Sequence, residues 1–127
     1  MTRVIFLNKF EIIGIQKRAI DEFGGLHGIH DEGALESAII AVQNRHHYEK
    51  ADLVACAATY AYHIVKAHAF IDGNKRTAAT TTEAFLVANN ASLEVTNSRF
   101  ANLFIGLASG EISRDEAEAL LRSWVKQ

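Results

Sequence analysis

Residues 53–67 read LVACAATYAYHIVKA, and this segment is the strongest indication of the fold. At helical spacing this segment makes about four turns, and it is apolar on nearly every side. A helix of that kind lies in the interior of a domain, and its alanines allow neighbouring helices to approach closely. We therefore predict a buried central helix that is capped at its start by Asp52.

Helical periodicity continues on both sides of the central segment. After an interruption at Asp72-Gly73, a helix is predicted from Asn74 to Ala88. Three more helices are predicted to begin at capping residues, which are Asn8 (paired with Glu11), Asp31, and Ser113 (paired with Glu116). The predicted apolar faces of the flanking helices are Ile12, Ile13, Ile20 and Phe23; Leu35, Ala38, Ile39 and Val42; Phe100, Leu103, Phe104, Leu107 and Ala108; and Ala117, Leu120, Leu121, Trp124 and Val125. The sum is an all-α fold, a single compact bundle of about six helices over residues 1–127.

Two segments depart from the helical pattern. Residues 43–50, QNRHHYEK, are polar and break the period, which predicts a loop or a short hairpin. Leu93 to Val95 is predicted to be a short extended piece.

Composition excludes several classes of protein. Lys plus Arg is 13 and Asp plus Glu is 15, a net charge of −2, so direct nucleic-acid binding is not expected. Hydrophobic residues make up 49%, which argues against disorder. No apolar run is long enough for a signal peptide or a membrane span, so no membrane partner is expected. The single cysteine, Cys56, fits a cytoplasmic location.

The segment that carries chemistry is residues 68–77, HAFIDGNKRT, between two apolar helices. The start of the helix at Asn74 offers free backbone N–H groups and a partial positive charge, and Gly73 lets the backbone come close to a ligand. Lys75 and Arg76 add positive charge where a polyphosphate would lie. These features together predict an anion site.

The same turn holds a base and a metal ligand. Asp72 is a hard oxygen ligand suited to Mg²⁺. His68 carries an imidazole, which can take a proton from an attacking hydroxyl. Each residue alone also has an ordinary explanation: a histidine at a helix end as a dipole partner, an Asp-Gly-Asn turn, and solvated basic residues in a first turn. Their combination in one turn favours a phosphoryl-transfer site.

This turn resembles the signature of the Fic/Doc family, and the similarity is closest to its Doc branch, the death-on-curing toxins of toxin–antitoxin pairs. The motif positions are His68, Phe70, Asp72, Gly73, Asn74 and Arg76. Further similar stretches are Phe23-Gly24-Gly25, Gly28-Ile29, residues 31–38, residues 48–53 and Ala61-Tyr62, so most of the chain is covered.

The resemblance implies a small helical fold that binds ATP and Mg²⁺ and transfers a phosphate-containing piece of the nucleotide to a protein hydroxyl. By motif position, His68 would be the general base and Asp72 the Mg²⁺ ligand. Gly73 and Asn74 would hold phosphate oxygens, and Arg76 would contact phosphate or brace the turn. Phe70 is expected to point inward and anchor the turn.

Three positions depart from the common Fic pattern. Lys75 replaces a glycine, and Ala79 replaces a second arginine that would contact the terminal phosphate. In the Doc branch this change goes with a reversed nucleotide and transfer of the γ-phosphate, and Lys66 would be one more cation for that site. Gln16 stands where relatives often carry His.

The resemblance also suggests partners. The expected target is a Ser or Thr hydroxyl of elongation factor Tu, and residues 43–49 would form a flap that holds it. No self-inhibitory Ser/Thr-x-x-x-Glu motif is present, so inhibition in trans by a separate antitoxin is expected. Two alternatives remain open: transfer of AMP, and a non-catalytic binding or co-regulatory protein.

Overall fold

The computed structural model describes residues 3–127. In this range the chain forms the helices α1 (Lys9–Phe23), α2 (Glu32–Glu49), α3 (Leu53–Ala67), α4 (Asn74–Ala88), α5 (Asn97–Ser109) and α6 (Arg114–Trp124). The strands β1 (Ser92–Leu93) and β2 (Val125–Lys126) pair antiparallel. The predicted all-α bundle is confirmed. No helix in the described range combines the length and apolar content that crossing a membrane requires.

Helix α3 is the centre of the bundle and packs against α2, α4, α5 and α6. Ten of its 15 residues are buried, as predicted for a segment that is apolar on nearly every side. The Tyr60 hydroxyl accepts a hydrogen bond from the Leu7 N–H at 3.0 Å and donates one to the Leu7 carbonyl at 3.2 Å. These bonds tie the segment before α1 to the central helix and satisfy a hydroxyl that lies fully inside the core.

The helix starts agree with the predicted caps. The side chains of Asn8, Asp31, Asp52 and Ser113 each accept a hydrogen bond from the backbone N–H three residues later. Glu11 and Glu116 return the bond to the cap backbone and complete two capping boxes. These capping signals are local in sequence, so the amino-acid sequence alone is sufficient to predict them.

The loop, hairpin or flap predicted for residues 43–50 is wrong, because α2 continues through Glu49 and ends at Lys50 in a left-handed conformation. Within this segment Arg45 has polar partners on α3 and α6, whereas Gln43, Asn44, His47 and Glu49 are exposed on the surface of α2. Arg45 Nη1 donates to the Ala55 carbonyl and the Thr59 hydroxyl, both at 3.0 Å. Such polar residues interrupt the apolar periodicity of a helix. Their partners are distant in sequence, so the sequence does not show that the helix continues.

Two smaller predictions also need correction. The periodicity predicts Phe23 on the buried face of α1, but this residue is 57% exposed at the end of that helix. It also predicts Val125 in the last helix, but Val125 lies in β2 and pairs with Leu93 of β1, a strand that begins one residue before the predicted extended piece.

The charge cluster on Arg45 joins three helices. Arg45 Nη1 lies 2.8 Å from a Glu118 carboxylate oxygen, and the two side chains are only 13% and 22% exposed. Arg122, one turn beyond Glu118, pairs with both Glu118 and the Asp52 carboxylate. The hydrogen bonds from Arg122 lower the pKa of Asp52, so this link contributes stability at neutral pH that is lost as the pH falls through that lowered pKa.

We expect Glu118→Ala to lower the free energy of unfolding by about 1–3 kcal/mol, because the largely buried Arg45 guanidinium loses its nearest charged partner. Urea denaturation of wild type and variant measures the loss. The control is Glu94→Ala, whose carboxylate lies 4.0 Å from Lys126 in an exposed pair and should cost at most about 0.5 kcal/mol. Equal losses in the two variants would contradict the role given to the cluster.

Candidate active site

The connection between α3 and α4 holds most of the predicted site residues. Helix α3 ends at Ala67, and His68 follows in a left-handed conformation with φ 47° and ψ 42°. Such a conformation is uncommon for a residue other than glycine, and it clusters at functional sites. The turn exposes the imidazole at the surface, where a substrate can reach it.

Asn74 closes this connection on itself. Its Oδ1 accepts a hydrogen bond from the Phe70 N–H at 3.0 Å, and its Nδ2 donates one to the Phe70 carbonyl at 2.8 Å. The Phe70 side chain is 2% exposed, so the predicted inward anchor is confirmed. Because the Asn74 side chain shapes the loop, its backbone N–H is the group that it offers to a ligand.

The start of α4 differs from the starts of the other helices within residues 3–127. Each of those has a side chain that accepts a first-turn N–H, whereas the α4 cap is Gly73, with φ 75° and no side-chain bond. The first-turn N–H groups of α4 therefore have no side-chain acceptor at the cap. A helix start in this state carries partial positive charge and binds anions.

The Asp72 carboxylate is held by backbone N–H groups from two segments. Its Oδ1 accepts from Gly73 at 2.9 Å, and its Oδ2 accepts from Leu26 at 3.2 Å. Gly25 precedes Leu26 with φ 119°, and a Cβ there would lie 2.7 Å from Asp72 Oδ2. The Phe23-Gly24-Gly25 stretch thus allows the backbone to lie close to the Asp72 carboxylate. The sequence did not predict this role.

The segment beside the motif is the loop of residues 24–31, not residues 43–49. The Ala69 carbonyl accepts hydrogen bonds from the N–H groups of His30 and Asp31 at 2.7 and 2.9 Å. The Ile71 N–H donates to the Gly28 carbonyl at 3.1 Å. The predicted flap at 43–49 lies within α2, so the backbone that borders the candidate site comes from the loop between α1 and α2.

A cavity of about 150 Å³ lies at the connection between α3 and α4. It is lined by Val65, His68, Ile71, Asp72, Gly73, Asn74, Lys75 and Ala108. The structure thus brings together the predicted base, the predicted metal ligand, the uncapped helix start and one cation. Arg76 and Lys66 do not line this cavity.

Arg76 lies over an aromatic ring instead. Its guanidinium carbon is 3.7 Å from the centroid of the Phe23 ring, a cation–π contact. Both residues line a neighbouring groove of about 410 Å³ that is bordered by α4 and α5. Lys75 lines both this groove and the motif cavity, so the two spaces adjoin at its side chain.

Lys66 lines a third cavity, of about 460 Å³, together with His63 and Arg114. Its ammonium lies 6.0 Å from the centroid of the Tyr62 ring. Burial, followed by the charge of Arg114, lowers the pKa of His63. Lys66, which is predicted to belong to the nucleotide site, therefore lines a different cavity from His68, Asp72 and Lys75.

The residues present fit a magnesium ion that is shared with a nucleotide. Within residues 3–127 no group of three or more His, Cys, Asp or Glu side chains could hold a metal ion alone. Mg²⁺ commonly binds through one or two carboxylates and completes its shell with phosphate oxygens and water. Asp72, at the uncapped start of α4, is placed for this arrangement.

Comparisons with known proteins address the family directly. A family model described as Fic/DOC family matches residues 6–86, well over half of the chain. The chain is also 37% identical over 113 residues to protein kinase Doc of Escherichia phage P1, an alignment that covers 88% of this chain and 89% of that protein. The region that the family model matches runs from before α1 into α4 and includes the whole loop with His68 and Asp72. The chain belongs to the Fic/DOC family.

Proposed function

We propose that the protein is a toxin that transfers the γ-phosphate of ATP to a Ser or Thr hydroxyl of a protein target. The observation that carries the proposal is the uncapped start of α4, which borders one small cavity with His68, Asp72 and Lys75. The relative named protein kinase Doc supports phosphate as the transferred group. This placement supplies an anion site, a base and a metal ligand at one point.

In the proposed reaction the target hydroxyl oxygen bonds to the γ-phosphorus, and the bond from that phosphorus to the β–γ bridging oxygen breaks. A ring nitrogen of His68 takes the hydroxyl proton, and ADP leaves. The N–H groups of the first turn of α4 and the Lys75 ammonium stabilise the charge on the phosphoryl oxygens. Mg²⁺, when bound at Asp72, would neutralise part of the remaining phosphate charge.

The groove at Arg76 supports placing the nucleoside on the far side of Lys75. The motif cavity, at about 150 Å³, is small for a complete nucleotide, whereas the adjoining groove has about 410 Å³. Its walls are largely apolar and include Phe100, with Asn97 as a polar group. Ala79 also lines it, so the missing second arginine leaves this space open for a base and ribose.

The partners remain proposals that rest on the family resemblance. Elongation factor Tu is the proposed target, and a separate antitoxin is the proposed inhibitor. An antitoxin segment that folded as a helix over the groove at Arg76 would compete with the nucleoside for the same surface. The cytoplasm, where ATP and elongation factor Tu occur together, is the proposed location.

Mass spectrometry of elongation factor Tu after incubation with the protein and Mg-ATP tests the transferred group. We expect the mass of the target to rise by one phosphoryl group, on a Ser or Thr. A rise by one adenylate would replace the proposal with AMP transfer. If the protein binds the nucleotide but elongation factor Tu is not modified, the result would favour the non-catalytic alternative for this target.

We expect His68→Ala to lower the rate of transfer by about 10²- to 10⁴-fold while the protein stays folded, because the general base is removed. Transfer rates and circular dichroism of the variant measure the two effects. His47→Ala is the matched control, since His47 is exposed on α2 outside the motif cavity, and its rate should equal that of wild type. Unchanged transfer by His68→Ala would remove this residue as the base.

Phe23→Leu should raise the KM for ATP roughly two- to fivefold, because an exposed cation–π contact that orients Arg76 is worth about 0.5–1 kcal/mol. Phe23→Tyr keeps an aromatic ring under the guanidinium and should behave as wild type. Steady-state kinetics with varied ATP give the comparison. Identical KM values for the leucine and tyrosine variants would show that the stack does not serve nucleotide binding.

A further inference from the structure

Gln16 is a polar residue on the buried face of α1, which is otherwise apolar. Its neighbours on the inner face of α1 are Ile12, Ile15, Ala19 and Ile20, all buried. Gln16 is itself only 2% exposed. Burying an amide is unfavourable unless the amide finds hydrogen-bond partners, so the position calls for a specific contact.

That contact is with the active-site loop. The Gln16 Nε2 donates a hydrogen bond to the backbone carbonyl of Asp72 at 3.2 Å, across 56 positions of sequence. Ile20, one turn later, lies against the same loop, since a Cβ on Gly73 would come within 3.3 Å of its Cδ1. Helix α1 therefore supports the loop at the residue that carries the proposed metal ligand.

The bond from Gln16 completes a set of three contacts on Asp72. The carboxylate is held by the N–H groups of Gly73 and Leu26, and the carbonyl is held by Gln16. The carbonyl of Asp72 and the N–H of Gly73 belong to one peptide unit, whose orientation sets the direction of the Gly73 cap. Fixing that carbonyl thus fixes both the carboxylate and the start of α4.

We infer that Gln16 is a positioning residue, which holds the Asp72–Gly73 peptide so that the carboxylate and the uncapped start of α4 face one phosphate site. Its effect on phosphate transfer rests on the proposed function, whereas its effect on the loop does not. An amide suits the position because it donates a hydrogen bond without carrying charge. Leucine cannot donate, and an ionised glutamate would offer only acceptors to a carbonyl.

The test compares Gln16→Leu, Gln16→Glu and Gln16→His in the full chain. Histidine retains a ring N–H donor and serves as the rescue variant. Thr81→Val is the control. Thr81 is another buried polar residue, on α4, and its hydroxyl has no hydrogen-bond partner within the described residues. That change should leave the loop as it is.

Two readouts do not require target modification. The first is amide hydrogen exchange of Gly73, whose N–H is bonded to Asp72 Oδ1, in the protein without nucleotide. The second is the dissociation constant for Mg-ATP measured by calorimetry. We expect Gln16→Leu and Gln16→Glu to speed Gly73 exchange and to weaken Mg-ATP binding by roughly two- to tenfold, the usual effect of one hydrogen bond. Gln16→His should recover much of both.

The inference is overturned if Gln16→Leu leaves Gly73 exchange and Mg-ATP affinity at the wild-type values. It is also overturned if exchange rises equally at all core amides and histidine restores nothing, since that pattern describes a general loss of stability. A wild-type protein that binds Mg-ATP but transfers no phosphate would contradict the proposed function alone. In that event Gly73 exchange in the variants still decides the role of Gln16.

Discussion

The paired hydrogen bonds between the Asn74 side chain and the Phe70 backbone are the constraint on which the rest of the site depends. They close the connection between α3 and α4 into a fixed loop, and the buried Phe70 ring attaches that loop to the core. Both flanking helices are held by many neighbours, so the loop has a rigid base. A small cavity of defined shape results, and His68, Asp72 and Lys75 all line it.

The same loop has two features that lower its local stability. His68 adopts a left-handed conformation, and α4 begins without a side-chain cap. Such features cost stability locally and persist where the surroundings over-determine the backbone. The surroundings here are the 24–31 loop, which bonds to Ala69, Ile71 and Asp72, and helix α1, which bonds to the Asp72 carbonyl.

Features that depend on neighbouring residues could be predicted from the sequence, whereas features that depend on distant contacts could not. The bounds of α3 and α4 and the four predicted caps could be recognised because each depends on residues within one or two turns. Residues 43–49 were misassigned because Arg45 is satisfied by Thr59 and Glu118, which lie far along the chain. Arg76 and Lys66, which the resemblance assigns to the nucleotide site, line two cavities other than the one lined by His68 and Asp72.

From the sequence alone it follows that the chain is a helical bundle around one buried helix, and the same residues predict a base, a carboxylate and an anion site in a single turn. Those conclusions follow from periodicity, capping and residue chemistry, which act over short distances. The contacts of Gln16, Gly25 and Leu26 with Asp72, and of Phe23 with Arg76, are visible only in the folded protein. The physical reason is that these contacts join segments whose approach is set by the packing of α1 against α4, which no local pattern encodes.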